Sequence, residues 1–357
     1  MDARRIAPAA VLAAATLAVP ATGAAQSAPL FESHEIATWT IRAPLGQIFE
    51  HRGDDAEEYP GVITVVEPDG THEVEVDIRT RGRSRLDTGI CRFPPLRLDF
   101  PRSRVEGTLF EGQNRIKLVT HCQDDRPEHE QYVLLEYLAY RVLNVLTDYS
   151  FRVRLARISY EDSDGAREPI TRYGFVIEHE ETVAERTGWR YLVTPVVPPD
   201  AVDPASVAVV ELFQYLIGNT DWSAFKADRG SDECCHNVKP IGAPVGPVFA
   251  LPYDFDVSGL VNTRYANRLF RGNLEELGLR NVRQRLFRGL CRSAPLWPMV
   301  ATRFVDRRPE IEALFREQEG LDPEIARESL EYVADFYDVV GDEDRMRRTF
   351  QRECIEG

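Results

Sequence analysis

A change of period along the chain constrains its fold more than any other feature. From Gly61 apolar and polar residues alternate through Val62-Ile63-Thr64-Val65-Val66, a turn at Pro68-Asp69-Gly70, and Val74-Glu75-Val76-Asp77-Ile78. Period-two alternation around a glycine-containing turn predicts a β-hairpin. Residues 96–100 and 115–119 read as further strands. Residues 151–160 and 173–178, split by Asp162-Ser163-Asp164-Gly165, read as a second hairpin. One helix interrupts this pattern at 130–147, where Leu135, Leu138, Val142 and Leu146 recur at helical spacing, with Glu136 and Arg141 off that stripe. After Gly188 the texture changes. Pro195-Val196-Val197-Pro198-Pro199 is linker-like, and 207–217 is an apolar helix stopped by Gly218. Residues 249–256 read as a short strand carrying two acids, and the remainder is helical, with Pro309 and Asp322-Pro323 as helix starts. Residues 28–60 read as irregular to weakly β. The expected class is α+β, with a β-rich part over 28–180 that holds one helix and a mainly helical part over 181–357.

The first 25 residues read as a secretory signal peptide. Arg4-Arg5 precede an apolar stretch over 6–19 and a small-residue run, Ala21-Thr22-Gly23-Ala24-Ala25. That stretch is too short to span a bilayer, and no later run is longer, so no membrane span is expected. The chain then belongs in the periplasm or outside a bacterial cell. Six cysteines, an even number, suggest disulfides in such a compartment. Cys91 can pair with Cys122 and Cys291 with Cys354, while Cys234-Cys235 can bond to each other or outward. No CxxC pair points to zinc. The net charge of −15 argues against nonspecific nucleic-acid binding and requires any anion site to be a local basic pocket.

Basic residues carry the next signal. Of 43, only Lys117, Lys226 and Lys239 are lysines. Lysine is a compact, rotatable point charge, whereas arginine is a planar fork. Each lysine lies in or beside a segment rich in candidate site residues. Phosphoryl transfer needs a cation on the phosphates, carboxylates and an amide for a divalent metal, and an acid to orient the attacking hydroxyl. The chain presents these types in order: the basic loop Arg79-Thr80-Arg81-Gly82-Arg83-Ser84-Arg85, then Lys117 on a strand, Glu136 on a helix, Asp221 in a loop, Asn237, and Asp254 with Asp256. If Asp254 and Asp256 alternate on a strand, they share one face and repel unless a cation joins them.

Arg79-Thr80-Arg81-Gly82-Arg83-Ser84, the Lys117 strand, Gly174-Phe175-Val176-Ile177-Glu178, Gly218-Asn219-Thr220-Asp221-Trp222 and Pro252-Tyr253-Asp254-Phe255-Asp256 together resemble the spore-coat-protein-H (CotH) kinase family over roughly residues 60–265. The resemblance implies a two-lobed, protein-kinase-like fold with a β-rich N-terminal lobe and a helical C-terminal lobe. It implies ATP with Mg²⁺ or Mn²⁺ as cofactors and a protein Ser/Thr hydroxyl as acceptor. By the same resemblance Lys117 binds phosphate with Glu136 as its ion-pair partner, Arg81, Gly82 and Arg83 cover the ligand, and Glu178 opens the link between lobes. Asp221 is then the catalytic acid, and Asn237, Asp254 and Asp256 hold the metal. Two other readings stand beside it: a catalytically silent kinase-like domain that binds a nucleotide, sugar phosphate or protein, and a disulfide-stapled structural protein of the cell envelope.

Overall fold

The computed structural model describes residues 29–53, 55–68, 70–227, 231 and 233–356. The segment read as a signal peptide and Asp69 of the first hairpin turn lie outside them. In chain order the elements are β1 (Ala37–Ala43), α1 (Leu45–Glu50), β2 (Tyr59–Glu67), β3 (Gly70–Thr80), β4 (Leu96–Asp99), β5 (Arg115–Val119) and α2 (Glu128–Leu146). Next come β6 (Val153–Asp162), β7 (Ile170–Ile177), α3 (Glu180–Arg186), β8 (Arg190–Tyr191), α4 (Pro204–Ile217), β9 (Val238–Gly242) and β10 (Val248–Pro252). The chain ends in α5 (Ala266–Leu269), α6 (Arg271–Glu276), α7 (Trp297–Glu317), α8 (Pro323–Val340) and α9 (Glu343–Glu353).

Strands β1 to β7 form a closed barrel in the order β1-β2-β3-β4-β5-β7-β6. Neighbours pair antiparallel except β1 and β6, which run parallel, so that Trp39 faces Ile158 in register. Alternation along β1 puts Ala37, Trp39, Ile41 and Ala43 inside the barrel. There they meet Ile63, Val65, Val76, Ile78, Leu98, Leu118 and Ile158, all buried. The outer faces of β6 and β7 carry a second apolar set, including Leu155, Phe175 and Ile177. Helix α2 packs on that set with Leu135, Leu138, Val142 and Leu146, the stripe expected from spacing. Each such side chain contributes roughly 1.5–3 kcal/mol when fully buried, enough to hold α2 in place while it also buries Glu136.

The expected two-lobed, protein-kinase-like arrangement is not what the chain forms. The α+β class holds, but the strands close on themselves. Helix α2 lies against the barrel wall on one side and α7 on the other, within one continuous apolar cluster that runs on into α4, α8 and α9. The closing element is β1, which lies in the stretch read as irregular. Its alternation is short, and its parallel partner β6 is more than a hundred residues away, so local pattern does not reveal the closure.

Local chemistry explains several helix ends. Asp203 caps α4 by accepting the Ser206 N–H at 2.8 Å, and Gly218 ends it at φ +64°, a left-handed conformation that favours glycine. Asp322 caps α8 with Pro323 at its first turn, as read from the sequence. Pro309 is a correction, because it lies inside α7 instead of starting a helix. An interior proline costs about 3 kcal/mol, and the burial of Phe304, Ile311 and Phe315 on α7 outweighs that cost. The disulfides are Cys91–Cys122, Cys234–Cys235 and Cys291–Cys354. These pairings are consistent with an oxidising compartment outside the cytoplasm. No helix among the described residues is long and apolar enough to cross a membrane.

One buried acid in α4 makes the fold pH-sensitive. Glu211 accepts the Leu290 N–H at 2.9 Å and the Ser293 hydroxyl at 3.2 Å, while its second oxygen has no partner among the described residues. Burial raises its carboxyl from 4.5 to about 8. The folded state therefore holds a proton that the unfolded chain releases, and stability falls as pH rises through that window. Glu211→Gln should flatten the decline in Tm between about pH 4.5 and 8, as read by calorimetry across pH. An unchanged slope would show that Glu211 does not carry it.

Candidate functional site

Candidate site residues gather where the barrel end meets α2 and the turn after β10. The basic loop leaves β3 at Thr80 and turns at Gly82, whose φ of +105° in open space suits glycine. Arg81 and Arg85 line a small cavity of about 10 Å³ with Lys117, Glu136, Tyr140, Tyr253 and Asp254, while Arg83 is exposed. The accessible part of this cavity holds about one water molecule. A wider open cavity of about 560 Å³ lies against α3, lined by Gln113, Arg115 and Glu181, but it includes none of Asp221, Asp254 or Asp256.

The second sheet, ordered β10-β9-β8, brings the far end of the constellation together. β9 and β10 are antiparallel, with Val238 opposite Pro252. The residue before β9 and the residues after β10 therefore share one end of the hairpin, which puts Asn237 beside Tyr253 and Asp254. The Tyr253 N–H donates to the Asn237 carbonyl at 3.0 Å. Asn237 and Asp254 both adopt left-handed backbone, at φ +52° and +64°, a conformation in which Asn and Asp are enriched among non-glycine residues. The Asp254 N–H donates to the Tyr140 hydroxyl at 2.9 Å, which ties the turn to α2. Asp254 and Asp256 do not alternate on a strand, because β10 ends at Pro252. A shared cation brings their carboxylates together instead.

That cation is Arg85. Its guanidinium lies 3.2 Å from Asp254, 3.5 Å from Asp256 and 3.5 Å from Glu136. Burial opposes the charge of Arg85, but Asp256 and Glu136 outweigh it and raise its pKa further above the usual range. Burial pushes Glu136 up to about 8, with Asp256 and Asp254 adding to the rise and Arg85 opposing it. Asp256 rises to about 6, first through burial, with Asp254 adding, and it accepts the Tyr265 hydroxyl at 2.8 Å.

Lys117 pairs with Glu180 at 3.2 Å, not with Glu136 as the resemblance implies. It also lies over the Tyr253 ring, 5.3 Å from its centre. The reason is positional: Arg85 already holds Glu136, and α3 starts next to β5 with Glu180 in its first turn. Burial lowers the Lys117 pKa. Burial would raise Glu180, but Lys117, His179 and Lys239 bring it down to about 2. Lys239 stands behind this pair, donating to the Tyr191 hydroxyl and to Glu233 at 3.3 Å each. Arg81 makes no side-chain hydrogen bond or ion pair with a described residue; burial lowers its pKa, and the Asp254 charge partly restores it. Glu178, expected at the ligand, is instead buried and held on both oxygens by Arg186, at 2.9 and 3.0 Å.

Asp221 lies after α4, placed by a turn in which its N–H donates to Asn219 Oδ1 at 2.9 Å. His236 Nε2 is 2.6 Å from Asp221 Oδ1, and the Asn237 amide donates to Asp221 Oδ2 at 2.9 Å. The charge of Asp221 reaches Asp256 and adds to its raised pKa. Sequence reasoning did not name Arg85, Glu180, His236 or Lys239 as site residues. Arg85 had a signal as the last residue of the basic loop, and Lys239 had the scarcity of lysine.

The residues expected to hold a metal are otherwise engaged. Among the described residues no three His, Cys, Asp or Glu side chains are placed to hold a metal ion. The donors are the hard oxygens that Mg²⁺ or Mn²⁺ prefers, but Arg85 pairs with Glu136, Asp254 and Asp256, and the Asn237 amide faces Asp221. In this arrangement the set does not fit a metal. No protein-family profile matches the chain, and no characterised protein matches it significantly.

The Lys117–Glu180 pair gives a direct test of these electrostatics. Without Lys117, burial of Glu180 is less opposed. Lys117→Met should move the Glu180 pKa up from about 2 toward or past its ordinary 4.5, as followed by carboxyl ¹³C NMR. A lowered carboxyl is a source of stability above its unfolded pKa that is lost as pH falls through the folded one. The stability lost in Lys117→Met should therefore be greatest above about pH 4.5 and shrink toward pH 2. A Glu180 pKa that stays near 2 would assign the effect to His179 and Lys239.

Proposed function

We propose that this protein is an exported kinase similar to the CotH family, moving the γ-phosphate of ATP to a Ser or Thr hydroxyl of a protein in the periplasm or outside the cell. The observation that carries this reading is the meeting of Arg81, a cation without an ion-pair partner among the described residues, and Lys117 with Asp254 in one cavity, with the charge of Asp221 reaching the Asp256 carboxylate behind it. The reading rests on these side chains and on the motif resemblance, not on a kinase-like lobe architecture. In it, Arg81 and Lys117 take the phosphates. Asp221 takes the proton of the acceptor hydroxyl as the new P–O bond forms and the bond to the β–γ bridging oxygen breaks, releasing ADP. Two partners on Asp221 do not prevent this, because an ionised carboxylate has about four acceptor positions. Mg²⁺ or Mn²⁺ belongs to the reading as the companion of ATP.

One observation favours a second reading, a nucleotide-binding protein without transfer. Both oxygens of Asp221 already have partners, and the cavity as it stands admits about one water molecule. The test separates the two. Asp221→Asn should abolish transfer from γ-labelled ATP, by about a hundredfold or more, while leaving the ATP-induced rise in Tm intact. Lys117→Ala should reduce that rise itself. An ATP-dependent rise in the wild type with no transfer would select the binding protein. No rise in the wild type, with either metal, would remove both readings.

A further inference from the structure

We propose that Arg141, Arg152 and Arg154 form a second anion site, on a different face of α2 from the Arg85 cluster, that takes a dianionic phosphate or sulfate group. Arg152 and Arg154 are two residues apart where the chain enters β6. The ladder to β7 extends to Arg152, whose carbonyl accepts the Glu178 N–H at 2.9 Å, so both side chains point to one side of the strand. Parallel pairing sets Ala37 of β1 beside Ala156 of β6. Three residues back on each segment, His34 comes level with Val153, between the two arginines. Helix α2 packs on β6 and carries Arg141. Tyr140 and Glu136 of that helix face Asp254 and Arg85, and Arg141 is turned about 100° from Tyr140.

The donors of this cluster lack acceptors. Arg154 is 8% exposed, and its Nε and Nη1 are buried with no partner among the described residues. The Arg141 Nε is buried in the same condition, and its Nη1 donates to the uncharged Tyr137 hydroxyl at 2.9 Å. None of the three arginines forms an ion pair with an acid among the described residues. The buried guanidiniums of Arg85 and Arg186, by contrast, each lie against carboxylates. Burial lowers the Arg154 pKa, and Tyr137, Glu35 and Glu67 oppose that fall without closing on the guanidinium. His34 senses all three cations: burial lowers it to about 4, with Arg141, Arg154 and Arg152 adding to the fall. Buried charge without a partner is costly. A tetrahedral oxyanion has acceptors in several directions and two charges, which suits guanidiniums arriving from two elements. Because Arg154 is nearly covered, only a small terminal group reaches it, either a free ion or a phosphate monoester carried on a larger molecule.

The inference does not rest on the kinase reading. The test uses the full chain in phosphate-free buffer, with inorganic phosphate, sulfate and glycerol phosphate as probes. Binding is read by calorimetric titration, by Tm and by the His34 pKa from NMR. In wild type the bound anion should raise the His34 pKa from about 4, since a nearby anion favours the imidazolium, and should raise Tm. Lys117→Ala should leave the His34 response in place, which separates this site from the Lys117 cavity. Arg154→Met should bind phosphate at least about tenfold more weakly and lose the His34 response, while keeping the ATP-dependent rise in Tm. Without anion its Tm should equal or exceed that of wild type, because a buried cation without an ion pair has been removed. If Arg154→Met does not fold, the half-buried Arg152 decides: weaker phosphate binding in Arg152→Gln supports the site, and unchanged binding overturns it. A wild type whose His34 does not respond overturns the proposal whatever its Tm does, as does a folded Arg154→Met that binds phosphate as tightly as wild type. Binding of the inorganic ions alone assigns the site to a free anion, and binding of glycerol phosphate as well assigns it to a monoester; both support it. An ATP-dependent rise in Tm without a His34 response would remove this inference and leave the kinase reading standing, and the opposite pair of results would do the reverse.

Discussion

The Arg85 cluster is the interaction on which the arrangement of the site depends. It ties together the loop after β3, the middle of α2 and the turn after β10, with Arg85 and Asp254 169 residues apart. Burying three carboxylates without a cation would be prohibitive, and burying Arg85 alone would be no better. The planar fork allows one side chain to meet three acids from different directions. A buried ion cluster of this kind gives little net stability compared with an apolar replacement of the same volume.

Much of the local structure was legible in the sequence. The stripe of Leu135, Leu138, Val142 and Leu146 located α2, and alternation located β2, β3, β5 and β7 to within a few residues. The Asp322-Pro323 start of α8 followed from capping chemistry. The architecture was not legible, because closure depends on β1. That strand pairs antiparallel with β2 and parallel with β6, and neither pairing leaves a turn signal between partners. Resemblance in the site segments then suggested lobes that the closed barrel and its continuous apolar cluster do not form. Motif residues can be alike while the frame that carries them differs.

The residue types of the site were legible, but their partners were not. Glu136 was placed off the apolar stripe of α2, where a solvated position is the ordinary outcome. It is 2% exposed because the barrel end covers that face. The Lys117–Glu180 pair spans 63 residues and the Arg85–Asp254 pair 169, so sequence spacing could indicate neither. Asp254 and Asp256 were read as neighbours on a strand face. They are neighbours, but through a left-handed turn and a shared guanidinium.

The division between lysine and arginine follows from the same geometry. Lys117 must touch a Glu180 oxygen and lie over the Tyr253 ring, and Lys239 must reach Glu233 and the Tyr191 hydroxyl while lying over the Tyr191 ring. A small ammonium on a thin stem fits between a carboxylate and an aromatic face, where a fork of five donors would leave several buried without partners. The reverse holds for Arg85 and for Arg186, each of which uses separate nitrogens on separate oxygens. Lys226 is exposed and does not follow this rule. The two lysines that do follow it share the field of Glu180, whose carboxyl is lowered to about 2 by their combined charge and that of His179.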